Sequence, residues 1–187
     1  DLGYENAELI ISDCDSNSGC EDRGGSSLYD IYVNDREAAS ETINGTRTEY
    51  GSNVADVDIG SGPVTSFIFI DNGMTEIDYH THGIDAMKTT IAHEFFHAIQ
   101  RTYRNHDTVS DPSTYYSTYF YEMSSAWIED IIYPDINDYL NFAYPYLMTP
   151  DLNISDYDPD PSSGTDAGYS LALFGHYLTK IYDDVEN

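Results

Sequence analysis

The feature that most constrains the fold is a long segment without proline at the centre of the chain, residues 85–104. Asp85 is a favourable helix N-cap, and Arg101 and Arg104 come at the end, where the helix dipole favours cations. Apolar side chains cover most of the circumference of such a helix, so the segment predicts a buried helix. The sequence His-Glu-Phe-Phe-His lies in its second half.

The two histidines of this segment have the spacing of metal ligands. His93 and His97 are four residues apart, which on a helix is about 40° around the axis and about 6 Å along it. Both rings can therefore reach one ion, while Glu94 can lie beside that ion without binding it. The alternative is two hydrogen-bonded histidines on a buried helix, but two ionisable rings and a carboxylate there need a compensating partner. The pattern predicts zinc as that partner.

A catalytic zinc ion has three protein ligands and one position for water, so a third ligand must come from elsewhere. A His-x-x-Gly-x-x-His extension is absent, because Gln100 and Tyr103 occupy the glycine and histidine places. Glu122 and Glu129 are the alternatives, but they lie about 10 Å apart along a predicted helix and cannot both bind one ion. Small residues follow Glu122 and would let its helix approach the first one closely, so we favour Glu122 as the ligand. The alternative is that Glu122 is only an exposed carboxylate. Glu129 would then lie beside the ligands without binding the ion.

With these residues the chain resembles the gluzincin metallopeptidases. AHEFFHAIQ and EMSSAWIED resemble that family's metal-binding helix and its later glutamate segment, although Met123 stands where glycine is usual. The YDIYV and WIEDIIYPDINDYLNF segments are similar to a group of secreted bacterial and archaeal zinc peptidases. The resemblance implies a zincin-like fold, His93, His97 and Glu122 as zinc ligands, and Glu94 as general base.

Peptide hydrolysis of this kind also needs a donor for the charge that develops on the carbonyl oxygen. Tyr169 and His176 are seven residues apart in a predicted last helix and would share a face, so both are candidates for that role. Their alternatives are packing for the tyrosine and a structural role for the histidine. We expect a zinc endopeptidase. An aminopeptidase of the same chemistry and a non-catalytic, metal-stabilised binding module are the alternatives, and the presence of Glu94 argues against the second.

Strands precede helices along the chain, which predicts an α+β fold. We expect one catalytic domain, residues 1–187, with a small β-sheet lobe in residues 1–84 and a helical lobe in residues 85–187. Alternating and β-branched runs predict strands at 29–33 and 64–70. Helices are predicted at three further places, namely 118–133, from Pro134 toward Pro145, and from an N-cap at Asp166 onward, with a loop over 149–165.

The net charge of −27, from 34 acidic and 7 basic residues, excludes whole classes of partner. Nucleic acids and anionic membrane surfaces would repel such a chain, and no apolar run approaches the roughly 18 residues of a membrane span. We therefore expect peptide or protein substrates, with no nucleic acid and no membrane insertion. An acidic surface suits a salty or calcium-containing extracellular medium, so we expect a secreted protein.

Two polar segments resemble calcium-binding loops in composition only. Asp13, Asp15 and Asn17 form the first, and Asp156 and Asp158 belong to the second; calcium or simple solvation fits each. In the first of these segments, Cys14 and Cys20 predict a small disulfide loop, with two free thiols as the alternative.

Overall fold

The structure is a computed structural model, and it describes residues 28–35, 50–55, 64–74, 80–103, 115–148 and 167–186. The strands and helices of these residues, in chain order, are β1 (Ile31–Asn34), β2 (Gly51–Ala55), β3 (Ser66–Asp71), α1 (Gly83–Arg101), α2 (Tyr115–Ile132), α3 (Leu140–Leu147), α4 (Ala167–Ser170) and α5 (Ala172–Glu186). The predicted α+β class is confirmed. No helix in the described ranges is long and apolar enough to cross a membrane.

The chain divides into two compact units, Asp1–Val109 and Ser110–Asn187. The first unit contains the sheet and α1, because α1 packs on β2 and β3. From the sequence, α1 is instead expected in the helical lobe, residues 85–187. Patterns of polarity identify a helix but do not show which neighbour covers its apolar face.

The sheet of the first unit has β3 at its centre, with β1 parallel on one side and β2 antiparallel on the other. Side chains alternate between the two faces of β3. Ile68 and Ile70 pack against Ala86 of α1, whereas Phe67 and Phe69 contact Tyr32 on the opposite face. The strands predicted at 29–33 and 64–70 are confirmed as β1 and β3, each shifted by a residue or two.

The start of α1 is set by backbone contacts rather than by a side-chain cap. The N–H of Gly83 donates to the carbonyl oxygen of Met74 at 2.6 Å, and Gly83 has φ 63°. His82 is the N-cap residue, and its side chain makes no capping hydrogen bond. The prediction that Asp85 caps the helix is therefore wrong; Asp85 lies in the first turn and pairs with Lys88 at 3.0 Å.

The second unit consists of α2 to α5, and α2 confirms the helix predicted at 118–133. The next helix does not follow Pro134 directly. Asn137 adopts φ 58° and donates from Nδ2 to the Pro134 carbonyl oxygen at 3.0 Å, so a turn occupies residues 134–139 and α3 begins at Leu140. A residue in the left-handed conformation cannot lie inside an α-helix, so α3 can begin only after Asn137. The start predicted directly after Pro134 is therefore too early.

The last predicted helix is two helices, because the chain turns at Leu171 between α4 and α5. The N–H of Leu171 donates to the carbonyl oxygen of Gly168 at 3.2 Å, which tightens the end of α4. In α5, Gly175 lies against Trp127 of α2, where a Cβ atom would come within 2.5 Å of the indole Cγ. A glycine at this position lets the two helices approach closely.

Candidate metal centre

The two histidines of the metal-ligand pattern lie side by side on α1. His93 is 4% exposed and His97 is 5% exposed. Their ring centroids are 4.6 Å apart, with the ring planes at 86°. One helix turn thus presents two buried imidazoles next to each other, as the four-residue spacing predicts.

Glu94 follows His93 directly and is also buried, at 7% exposed. A carboxylate in this setting is costly unless a cation or hydrogen-bond donors accompany it. Its backbone is fixed by the sheet, since the carbonyl oxygen of Glu94 accepts a hydrogen bond from Nδ2 of Asn53 at 3.2 Å. The motif therefore lies on a turn of α1 that is attached to β2.

Asn53 is the centre of a polar cluster between α1 and the sheet. Its Nδ2 also donates to the hydroxyl oxygens of Tyr29 at 2.8 Å and Ser66 at 3.1 Å. The Asn53 Oδ1 atom accepts from Nε of Arg101, and its backbone oxygen accepts from Nη2 of the same residue at 3.1 Å. Asn53 thus joins two places on α1, one on each side of His97, to a single strand.

Gln100 of α1 lies next to His97, although in the sequence it marks only the absence of the His-x-x-Gly-x-x-His motif. Its Oε1 atom lies 2.7 Å from Nδ1 of His97. The three-residue spacing on a helix was the available signal, because residues i and i+3 lie on one face.

Both carboxylates predicted near the site lie on α2, but they differ in their surroundings. Glu122 is half-buried, and Glu129 is buried at 6% exposed. Between them, Ser125 and Ala126 are fully buried small residues. Of the small side chains that favoured Glu122, these two are therefore in the interior, whereas Ser124 is partly exposed.

Three of these side chains, His93, His97 and Glu122, form a group that could hold a metal ion. Each offers one ligand atom, and these atoms lie within 4.8 Å of one another. Two imidazole nitrogens and one carboxylate oxygen are a donor set that suits catalytic zinc, which keeps its fourth position for water. Glu129 is not a member, and within the described residues no second group of this kind is found, so the exposed His80 and His82 belong to none.

The two candidates for the carbonyl-oxygen donor lie on different helices. Tyr169 is on α4, and its ring centroid is 5.1 Å from that of Phe142. His176 is on α5, with its ring centroid 5.0 Å from that of Tyr139. The prediction that they share one helix is wrong, because the chain turns at Leu171. Their role as donors stays a prediction.

His176 also lies next to the partly buried carboxylate of Asp130. Its Nε2 atom is 3.3 Å from Oδ2 of Asp130, so the two side chains form an ion pair when His176 is protonated. Burial raises the pKa of Asp130, and the charge of a protonated His176 opposes that rise. Burial, with a smaller contribution from the Asp130 charge, likewise raises the pKa of Tyr139.

The remaining predicted site residues lie outside the described residues. They are the calcium candidates Asp13, Asp15, Asn17, Asp156 and Asp158, and the cysteines Cys14 and Cys20. Calcium binding and the disulfide stay predictions.

Comparison with protein-family models, with curated proteins and with solved structures found no match to this chain. The resemblance to gluzincins therefore rests on the motifs of the chain itself.

Proposed function

We propose that this protein is a zinc metallopeptidase that hydrolyses internal peptide bonds. The observation that carries the proposal is the group of His93, His97 and Glu122 ligand atoms, with Glu94 directly after the first of them in the chain. A structural metal site needs ligands only, whereas this one has an additional buried carboxylate in the motif. Such a carboxylate has a purpose in catalysis, as a general base.

His93, His97 and Glu122 would hold the zinc ion. When bound, zinc lowers the pKa of water toward neutrality and polarises a carbonyl group. The carboxylate of Glu94 takes a proton from the attacking water and returns it to the leaving amine nitrogen. Water oxygen adds to the carbonyl carbon, the carbon–nitrogen bond breaks, and the products are a carboxylate and an amine. Tyr169 or His176 would donate to the carbonyl oxygen as it becomes negative.

The substrate is a peptide or a protein, and the medium we propose is extracellular. The net charge of −27 supports both proposals, because it disfavours nucleic acids and anionic membranes as partners and keeps the chain hydrated in salt. An aminopeptidase would need acidic groups to hold a substrate amine, and the acid excess is compatible with that alternative. The size of the products separates the two.

Digestion of casein tests the proposal. We expect the zinc-loaded protein to release internal peptides, a chelator to stop the reaction, and added zinc to restore it. Glu94→Gln should lower the rate by roughly 10²–10⁴-fold while zinc content is unchanged, because only the proton transfer is lost. Lys88→Ala, which changes an exposed residue on the same helix, is the matched control and should digest casein normally.

Three results would count against the proposal in different ways. Stepwise release of single amino acids would identify an aminopeptidase. Bound zinc without any hydrolysis would favour a metal-stabilised binding module. Full activity in the Glu94→Gln protein would exclude Glu94 as the general base.

A further inference from the structure

The side-chain amide of Gln100 lies against one ring nitrogen of His97. The amide Oε1 of Gln100 lies 2.7 Å from Nδ1 of His97, and an amide oxygen can only accept a hydrogen bond. Nδ1 must therefore be the donor. In a neutral imidazole the lone pair then resides on Nε2, which is the atom left to bind a metal.

We propose that Gln100 is a positioning residue of the metal centre, which holds His97 in the Nδ1–H tautomer and orients its Nε2 atom toward the ion. The inference rests on the proposed function, since it requires that His97 is a zinc ligand. A histidine that binds a metal needs such a partner on its second nitrogen, because the partner sets both the tautomer and the ring orientation.

The location of Gln100 suits this role. It lies three residues after His97 on the same helix, so its side chain and the ring share one face of α1. His97 is buried, so a ring nitrogen without a partner would lose the hydrogen bonds that water provides. The amide orients the ring without adding negative charge to a chain that already carries −27. A carboxylate at this position would make the ring more basic and the zinc tighter.

The tautomer can be measured without metal. Two-bond proton–nitrogen correlation spectra of the ¹⁵N-labelled, zinc-free protein at mildly alkaline pH distinguish Nδ1–H from Nε2–H imidazoles. We expect His97 to be Nδ1–H in the wild-type protein and in Gln100→Glu, which keeps an acceptor, and to gain the Nε2–H form in Gln100→Ala. Lys88→Ala is the control, and its His97 signals should match those of the wild type.

Zinc affinity provides the second readout. Competition with a chromophoric chelator should show zinc binding weakened roughly 10–100-fold in Gln100→Ala, and as tight as the wild type or tighter in Gln100→Glu. Loss of affinity in both variants alike would mean that Gln100 acts through packing, which would overturn the inference.

Failure of the inference and failure of the proposed function give different results. A wild-type protein that binds no zinc contradicts the proposed function. A wild-type protein that binds zinc, with Gln100→Ala binding equally tightly or with His97 in the Nε2–H form, contradicts only the role of Gln100.

Discussion

Two carboxylates on α2 are seven residues apart, and only Glu122 belongs to the metal-ligand group. Glu122→Ala should therefore abolish tight zinc binding, since it removes one of three protein ligands. Glu129→Ala should weaken binding by less, roughly 10–100-fold, if Glu129 acts on the ligands from outside the coordination sphere. Titration of each zinc-free variant with zinc against a competing chelator measures both effects.

The variant that loses more zinc affinity identifies which glutamate is the ligand. Equal and complete zinc loss in both variants would remove the distinction between these residues, and a larger loss in Glu129→Ala would reassign the ligand. Circular dichroism of each variant keeps a folding defect separate from a binding defect, because Glu129 is buried.

Asp130 should make the stability of the protein depend on pH. Burial raises its pKa in the folded protein above the usual value of about 3.9, so the folded form binds the proton more tightly than the unfolded chain does. The contribution of Asp130 to the free energy of unfolding is therefore highest in acid. It falls as the pH rises from the pKa of Asp130 in the unfolded chain to its higher pKa in the folded protein. Asp130→Asn removes this loss. Its melting temperature minus that of the wild type should increase from about pH 4 upward and then level off.

Thermal unfolding of both proteins across this range checks the prediction. A difference that is constant with pH would show that Asp130 has an ordinary pKa. A decrease would show that attraction to His176 outweighs burial, which is the reverse of the balance inferred from its surroundings.

Among single residues, the sequence identifies those whose chemistry depends on spacing along one helix. His93 and His97 are of this kind, and the structure places their rings side by side. The small residues after Glu122 gave the reason for preferring it to Glu129, and Glu122 belongs to the metal-ligand group. The role of Glu94 stays a prediction. Asn53 could not be found in this way, because its partners are 13 to 48 residues away in the chain. Its importance arises from the register of β2, which places it opposite Ile68 on the face toward α1.

At the scale of elements, long periodic segments are predictable and their ends are not. α1 was expected because an apolar, proline-free stretch can bury its surface in a helix. Its first residue is decided by the Gly83–Met74 hydrogen bond, which no local pattern contains. β2, Gly51–Ala55, was missed because GSNVA has neither alternation nor a β-branched run, and pairing with β3 makes it a strand.

The close contact between α2 and α5 leaves no space for a side chain at Gly175. Ala at position 175 would bring its Cβ within 2.5 Å of Trp127 Cγ and 2.7 Å of Cδ1, so the helices must separate or the ring must turn. We expect Gly175→Ala to destabilise the protein by about 1–3 kcal/mol, the usual cost of overpacking. A decrease in the free energy of unfolding would be informative, because in an unobstructed helix alanine instead stabilises by roughly 1 kcal/mol relative to glycine.

Urea unfolding measures the change, and fluorescence reports its location, because Trp127 is the single tryptophan of the chain. The emission of folded Gly175→Ala should shift as the indole moves. Lys180→Ala, an exposed change on the same helix, is the control. Stabilisation in Gly175→Ala with unchanged emission would mean that the helices do not approach this closely.

At the scale of the whole molecule, a net charge of −27 on 187 residues makes self-repulsion a general property. Salt shortens the screening distance from about 10 Å at 0.1 M to about 3 Å at 1 M. The melting temperature should therefore rise with NaCl, since repulsion between carboxylates is greater in the compact folded state than in the unfolded chain. Scanning calorimetry at several NaCl concentrations tests this, and a flat response would mean that the carboxylates are too well dispersed to repel one another.

The overall class was predictable because strands precede helices in the sequence. The division into compact units was not, since α1 follows the strands in the chain but packs on them in space. The sequence gives the order of helices and strands along the chain. Which of them form one compact unit depends on which apolar faces pack against each other.

The central claim is that His93, His97 and Glu122 bind zinc, and the metal content of the purified protein tests it most directly. After dialysis against zinc-free buffer, elemental analysis should find about one zinc ion per chain in the wild type and in Lys88→Ala, as expected for a single catalytic site. The His93→Ala, His97→Ala double variant should contain none. A wild-type protein without zinc, or a double variant that retains it, would contradict the claim.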